Sequence, residues 1–361
     1  MRENWLRPGL VPESRRRTLS RFEFWPAWAF YAPVWLWIGG LALRHRGLRV
    51  ALLANPDLPA GGMVGESKRQ TFGQLTGEER HWLAPYTSVV RNGDAEVAEE
   101  ALVKAHLEYP LVAKPDIGCR GAGVRAIRNA HDLARYWAEF PAGETMILQQ
   151  MVDMEGEAGV FYVRPPGGKT PEILSLTLKY FPHVVGDGRS TIRELILADP
   201  RAGRVPQLYL PRFSGRLDEV LPIGRPLRLV FAGNHSKGAI FQDGAAHITE
   251  AMRARFDAIA RSIPNFNFGR FDVRFADLEA FKRGEDFRIV EFNGAGAEST
   301  HIWDADMSLP GAWAALCKQF SLLFAIGAAN RKLGHRPERW RDFLARWRRE
   351  KALTLCYPAT E

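Results

Sequence analysis

Residues 109–127 read YPLVAKPDIGCRGAGVRAI. An apolar run, Leu111–Ala113, ends in Lys114. A glycine-rich stretch follows, and apolar residues resume at Val124. The spacing predicts a buried strand, a turn and a second strand, hence a hairpin. Two later stretches have a related character: FGRFDVRF (268–275) and FRIVEFNG (287–294), joined by a short charged connection. They place Asp272, Glu291 and Asn293 among apolar neighbours. Glu291 and Asn293 are two apart and so share one face of a strand. Carboxylates on buried strands are costly unless a metal or a cation partners them.

Outward from these stretches, strands and helices alternate. LRVALLAN (48–55) reads as a short strand, followed by a glycine-rich loop with Gly61, Gly62, Gly65 and then Glu66-Ser67-Lys68. Residues 76–86 and 95–107 read as helices. Helix 131–140, strand 145–152 and strands 159–163 and 173–178 come next. Residues 186–188 are a Gly-Asp-Gly turn and 191–198 a helix. Strands at 228–231 and 239–241 flank the loop 233–238, helix 249–263 precedes the two acidic strands, and 309–329 is mostly helical. Several hairpins in place of strict strand–helix–strand units predict an α+β (mixed α/β) protein with antiparallel sheets.

The 361 residues suffice for two or three structural units, and 46% hydrophobic with 25% charged residues is ordinary globular composition. The net charge of +8 favours anionic partners. No paired Cys/His spacing or aromatic RNA-binding signature occurs, so no nucleic-acid partner is expected. Cys119, Cys317 and Cys356 are too scattered for a zinc site or a disulfide framework, which points to a reducing, cytoplasmic setting.

Phosphoryl transfer needs cations on the phosphates, a flexible loop of backbone N–H groups over them, and oxygen ligands for Mg²⁺. Lys114 ends a rigid strand. Gly118–Gly123 supply the loop, with Arg120 in it. Asp272, Glu291 and Asn293 form an oxygen-rich face. Taken alone, the glycine loop reads equally as a hairpin turn.

Together, K-P-x-x-G-x-x-G-x-G-V (114–124) and D…E-F-N (272…293) resemble the ATP-grasp superfamily over residues 95–325. The stretch YFPHVVGDGRSTIR (180–193) is similar to the ATP-grasp domains of cyanophycin synthetases and fused glutathione synthetases; D-alanine–D-alanine ligase is a further relative of this type. The resemblance implies two α+β subdomains clasping ATP. It implies a ligase forming ADP and phosphate, in which a carboxylate becomes an acyl phosphate and is joined to an amine through a carbon–nitrogen bond. It implies Lys114 on the α/β-phosphates, and Gly118, Gly121 and Gly123 in a mobile lid with Arg120 near the γ-phosphate. Gln149, Gln150, Met151 and Val152 fall where backbone groups read adenine, and Glu157 where the ribose is held. Lys179, Arg270 and Lys237 are catalytic candidates and Asn234 a nucleotide contact. Asp272, Glu291 and Asn293 would hold Mg²⁺, two ions in this family. After Asn293 the family turns through a proline; here the chain runs GAGAESTH. His301, Asp304 and Asp306 lie beyond Asn293 and read either as structural residues or as facing the substrate. Arg228 is a second arginine suited to a carboxylate.

The ends are unusual. Phe24–Leu43 carries no charge, is rich in tryptophan, contains Pro26 and Pro33, and is flanked by arginines. A membrane-surface segment, a true span, and burial against protein or in a homodimer contact all stand as readings. Residues 331–351 hold a basic, amphipathic helical pattern suited to an anionic lipid surface or to docking on the domain. The expected divisions are 1–47, 48–94, 95–152 (lid), 153–330 (catalytic, with the metal site) and 331–361. The substrates expected are small-molecule or lipid-linked carboxylates and amines, with an anionic membrane face as a further partner. Two alternatives stay open: another ATP-grasp chemistry (phosphotransfer or thioester formation), and a non-enzymatic nucleotide-binding protein at a membrane.

Overall fold

The computed structural model describes residues 19–20, 22–168, 170–231, 233–235 and 238–360. The chain opens with helix α1 (Ala27–Arg44), passes two 3-10 segments (Leu48–Leu53 and Pro59–Gly62) and enters the short helix α2 (Lys68–Gln74). A first antiparallel sheet follows, from β1 (Tyr86–Val90), β2 (Leu111–Pro115), β3 (Arg125–Ile127) and β4 (Thr145–Gln150), in the order β1-β4-β2-β3. The 109–127 stretch is the expected hairpin, with Leu111 opposite Ile127 and Ala113 opposite Arg125. Helices α3 (Glu96–Lys104) and α4 (Ala130–Glu139) cover one face, where Leu102, Leu133, Tyr136 and Trp137 close on Leu111, Ala113 and Leu148.

The second sheet holds β5 (Gly156–Val163), β6 (Glu172–Tyr180), β9 (Ile240–Asp243), β10 (Phe268–Phe275) and β11 (Phe287–Asn293), in the order β11-β10-β5-β6-β9. Between β6 and β9 lies a small unit: β7 (His183–Val185) pairs with β8 (Pro226–Arg228), and helix α5 (Ile192–Ala198) opens with the capping box Thr191/Glu194. Helices α6 (Glu250–Arg261) and α7 (Leu278–Lys282) cover one face of the large sheet. Ala158, Val160, Phe271, Val273, Phe275 and Phe287 point into that core with Phe256 and Phe281. Each such buried aromatic contributes about 1.5–3 kcal/mol.

Side chains alternate along a strand, so the intervening residues face the other way. That second face is divided. At one end Phe161, Val163 and Phe268 meet helix α8 (Leu309–Lys332) and the 3-10 segment at 48–53. At the other end Glu157, Lys179, Arg270 and Asp272 form a polar cluster. The mixed α+β class expected from the sequence is what the chain adopts.

Several local readings change. LRVALLAN is a 3-10 segment and not a strand, because Val50–Leu53 are packed against α8. Gly327 permits that contact: a Cβ there would lie 2.0 Å from the Val50 carbonyl oxygen. The helix read at 76–86 is a 3-10 turn (Gly77–Trp82) followed by strand β1. Pro33 does not interrupt α1, which runs unbroken from its N-cap at Pro26. Among the described residues one helix, α8, is long and apolar enough to cross a bilayer; it is C-terminal, unlike the 24–43 stretch the sequence suggested, and lies packed against α1 and the 48–53 segment. The C-terminal basic stretch is not one helix from 331. Gly334 takes a positive φ, and helix α9 (Trp340–Cys356) begins after it.

Candidate functional site

The two sheets meet where β2 of the first approaches β11 of the second. A bulge makes this possible. Asp272 pairs with Glu291, yet Val273 pairs with Ile289, so Val290 is an extra residue in β11. An extra residue reverses the alternation of faces. Ile289 therefore lies in the aromatic core, while Glu291, two residues on, faces the polar cluster with Asn293. The bulge also frees the Val290 carbonyl, which accepts a hydrogen bond from Lys114 Nζ at 2.9 Å. Lys114 is buried, and burial pulls its ammonium down to about 8.

Asp272 is the centre of the cluster. Arg270 grips it through Nε and Nη2, at 3.0 Å each, and Lys179 Nζ donates at 2.8 Å. Burial works to raise this carboxyl, but Arg270 and Lys179 outweigh it and hold it at about 2. Asn293 Nδ2 lies 3.5 Å from Asp272. Lys179 also donates to Glu157 at 3.2 Å, and Arg274 sits 3.5 Å from the other Glu157 oxygen. Burial alone would lower Lys179; Asp272 and Glu157 raise it instead. Gly233 packs against Glu157 so closely that a Cβ would fall 1.9 Å from its carboxylate.

Two carboxylates and an amide on one face suit a hard divalent cation such as Mg²⁺, which takes few protein oxygens and completes its shell with water and phosphate. Among the described residues no group of three or more His, Cys, Asp or Glu side chains forms an all-protein metal cage. The donor chemistry fits a metal shared with a phosphate better than a resident structural ion.

The structure adds Lys68, which the sequence reading placed only in a glycine-rich loop. Ser67 caps α2, accepting from Gln70 N, and Asp116, just after β2, holds Ser67 Oγ and Arg69 N. That clamp points Lys68 into the cleft, where Nζ lies 3.4 Å from Glu291 and donates to the Gly118 carbonyl at 3.2 Å. The signal was present: a Ser N-cap followed at once by lysine, after a glycine-rich turn. Glu66 is beside it. Its Oε2 accepts from Gly294 N at 3.3 Å, and burial raises it to about 8.

The glycine loop is held from outside. Gly121 and Gly123 take positive φ, as does Arg120. Tyr357 OH donates to the Ile117 carbonyl at 2.6 Å, Thr360 Oγ1 to Gly121 at 2.9 Å, and Tyr136 OH to Gly123 at 2.8 Å. These donors engage carbonyls, the groups a phosphate would repel. Arg120 is exposed.

Other expected residues are placed differently. Gln149 is buried and donates to the Ala84 carbonyl, and Gln150 folds back on Glu108 and Pro110. The Met151 N–H is engaged by the Pro110 carbonyl, so this group is already satisfied; Val152 follows, half-buried. Arg228 gives its guanidinium to the Val230 and Phe231 carbonyls and stacks on Phe181. Asn234 accepts Ala239 N in the 233–238 loop, and Lys237 lies outside the described residues. His301 has its imidazolium disfavoured by burial, and Asp304 accepts from Asp243 N and Asp306 N, a loop brace.

No family model matches the sequence, and no curated protein matches it. Solved structures do. A bifunctional glutathione synthetase from Pasteurella multocida is similar at 19% identity and TM-score 0.37, over 70% of this chain and 35% of that one. The D-cycloserine synthetase DcsG is similar at 15% identity and TM-score 0.38, over 70% of each chain. The VanG D-Ala:D-Ser ligase from Enterococcus faecalis is similar at 12% identity and TM-score 0.39, over 72% of this chain and 62% of that one. The chain thus spans about a third of the length of the glutathione synthetase it matches. Each of the three is a ligase or synthetase by name.

Proposed function

We propose that the chain is an ATP-dependent ligase that activates a carboxylate as an acyl phosphate and joins it to an amine. The observation that carries the reading is the facing of two sets of groups across one cleft: Lys114 and Lys68 from one side, and Asp272, itself clamped by Lys179 and Arg270, with Glu291 and Asn293 from the other. Cations opposite oxygen ligands are what a metal-bound triphosphate requires.

In this reading Lys114 and Lys68 hold phosphates, and the Gly118–Gly123 loop closes over them. Mg²⁺ held by Asp272, Glu291 and Asn293 would neutralise charge on the transferring group. Lys179 keeps Glu157 and Asp272 oriented. The substrate carboxylate oxygen attacks the γ-phosphorus and ADP leaves. The amine nitrogen then attacks the acyl carbon, phosphate leaves, and the nitrogen gives up a proton. Closing the cleft protects the acyl phosphate from water. The lid unit is 95–152 together with strand β1, and the catalytic unit 153–330. The enzyme works in the cytoplasm, at the membrane face.

The test is phosphate release from Mg²⁺-ATP against pools of amino acids, peptides and acyl carboxylates with added amines. ADP and phosphate dependent on an acid–amine pair, and lost by at least about a hundredfold in Glu291→Gln, are expected. AMP and pyrophosphate, or an unaffected Glu291→Gln, would reject the reading.

A further inference from the structure

Among the described residues, helix α1 is partnered on one side only. Phe30, Val34 and Leu41 are buried on its inner side, and Phe30 and Val34 pack with Ala312 and Leu316 of α8. Trp313 Nε1 donates to the Phe30 carbonyl, and Trp37 Nε1 to Ser321 Oγ and the Cys317 carbonyl. Residue 30 meets 313 and residue 37 meets 317 and 321, so the helices run parallel.

The outer side is a different surface. Trp28 is 69% exposed, Trp35 54%, Leu36 81% and Leu43 84%, with Gly39 and Gly40 also exposed between them. Positions 28, 32, 35, 36, 39 and 43 form one helical stripe. No charged residue lies between Phe24 and Leu43. At 18 residues the helix is about 27 Å long, so this is a contiguous apolar face beyond what solvent-exposed helices normally show.

Positive charge gathers at one end of the stripe. Because the helices are parallel, Arg44, the last residue of α1, and Arg46 lie toward the same end of the pair as Arg331 and Lys332, which close α8. His45 lies between them, 5.9 Å from the Phe324 ring, and its imidazolium is disfavoured by burial and then by Arg44 and Arg331. All four cations are exposed, and no ion pair is recorded for any of them among the described residues. An apolar, tryptophan-bearing face that ends in unneutralised arginines matches the acyl–headgroup boundary of an anionic bilayer. A second copy of the chain would cover the stripe but would bring four more cations and no counter-charge.

We propose that the outer face of α1 docks flat on an anionic bilayer, with the cationic end of α1 and α8 on the headgroup phosphates. The other edge of the same helix reaches the cleft. Tyr31 OH donates to the Glu298 carboxylate, and the Glu298 carbonyl accepts from Arg270 Nη1 at 2.9 Å. Tyr31 also stacks on Trp35 of the stripe, at 6.5 Å. The docked helix therefore borders Arg270, the residue that clamps Asp272. Resting on the ligase reading, this geometry admits a carboxylate or amine carried on a lipid along the edge of α1.

The experiment is cosedimentation of the full chain with vesicles of phosphatidylcholine alone and of phosphatidylcholine with about 30% phosphatidylglycerol, without nucleotide. Binding to the anionic vesicles, weakened by salt, is expected. The triple variant Trp28→Ser, Leu36→Ser, Leu43→Ser, at exposed positions, is expected to lose at least about tenfold in affinity. Arg44→Gln with Arg46→Gln is expected to remove the preference for phosphatidylglycerol. No binding of the native chain, or undiminished binding of the triple variant, overturns the proposal. So does a dimer, seen by light scattering, that the triple variant abolishes while vesicles are ignored. Vesicle binding needs no turnover, so its failure is distinct from failure of the ligase assay.

Discussion

Glu66 shows what the cleft asks of single residues. Its Oε1 is shielded from solvent and has no hydrogen-bond partner among the described residues, while Oε2 has only Gly294 N. Burial raises its pKa from 4.5 to about 8, Lys68 only partly opposing. A carboxyl raised on folding binds its proton more tightly in the folded state. Its contribution is therefore complete below about 4.5 and is lost as pH climbs through about 8. Glu66→Gln keeps the shape and removes the titration. In urea melts without nucleotide or Mg²⁺, the variant is expected to match the native chain near pH 5 and to exceed it at pH 8, by on the order of a few kcal/mol. Parallel stability profiles would show that Glu66 is solvated. The same residue illustrates what a sequence hides. Asp272, Glu291 and Asn293 were legible because acids interrupted apolar strands. Glu66 and Lys68 sit in a glycine-rich loop, where polar residues are ordinary, and only the packing of that loop against Gly294 and Glu291 turns them inward.

Among the elements, strands and helices with a strict period were readable and mixed ones were not. The hairpin 109–127 and the pair 268–275 with 287–293 follow the period-two pattern. The bulge at Val290 does not announce itself, since valine fits a regular strand as well. Strand β1 was hidden because YTSVV is half polar and follows a charged turn. The C-terminal segment was legible as a helix but not as a brace. Helix α9 brings Glu350 to Gly65 N at 2.7 Å, and the tail beyond it supplies Tyr357 and Thr360 to the Ile117 and Gly121 carbonyls. Tyr357 also stacks on Phe140, which follows α4, at 5.5 Å, and Arg125 Nε donates to the Ala359 carbonyl. The tail thus ties down the loop that is proposed to close on phosphate. Removing residues 357–361 is expected to loosen the loop that carries Arg120 and Arg125, with trypsin cutting there at least about fivefold faster, because local opening governs cleavage. Tyr357→Phe, which loses one hydrogen bond and keeps the ring, is expected to fall between. Unchanged cleavage in both would mean that the loop is held by Lys68 and Tyr136 alone.

On the scale of the whole molecule, the two sheets are joined by few direct links. Ala84 N donates to the Ile289 carbonyl, Lys114 to Val290, and Lys68 touches both Glu291 and Gly118. Two of the three are buried lysines meeting in one cleft. A buried ammonium is unfavourable, and Lys114 registers it: burial lowers it, Glu291 opposes, Lys68 adds a smaller push downward, and the balance is about 8. A triphosphate entering between the sheets reverses that balance, since an anion beside a buried ammonium favours its charged form. Nucleotide binding is then coupled to proton uptake. At pH 8, near the Lys114 value, a large fraction of the lysine is neutral in the empty protein and becomes charged when ATP binds. At pH 6.5 it is already charged and takes up little. Titration calorimetry of ATP binding at pH 8, in two buffers of different ionisation enthalpy, is expected to show uptake of a fraction of a proton, about a half near the midpoint. Lys114→Met is expected to abolish that uptake and to weaken binding at both pH values. Heat that is independent of buffer at pH 8 in the native chain, while ATP still binds, would place the phosphates away from Lys114 and break the proposed arrangement of the cleft.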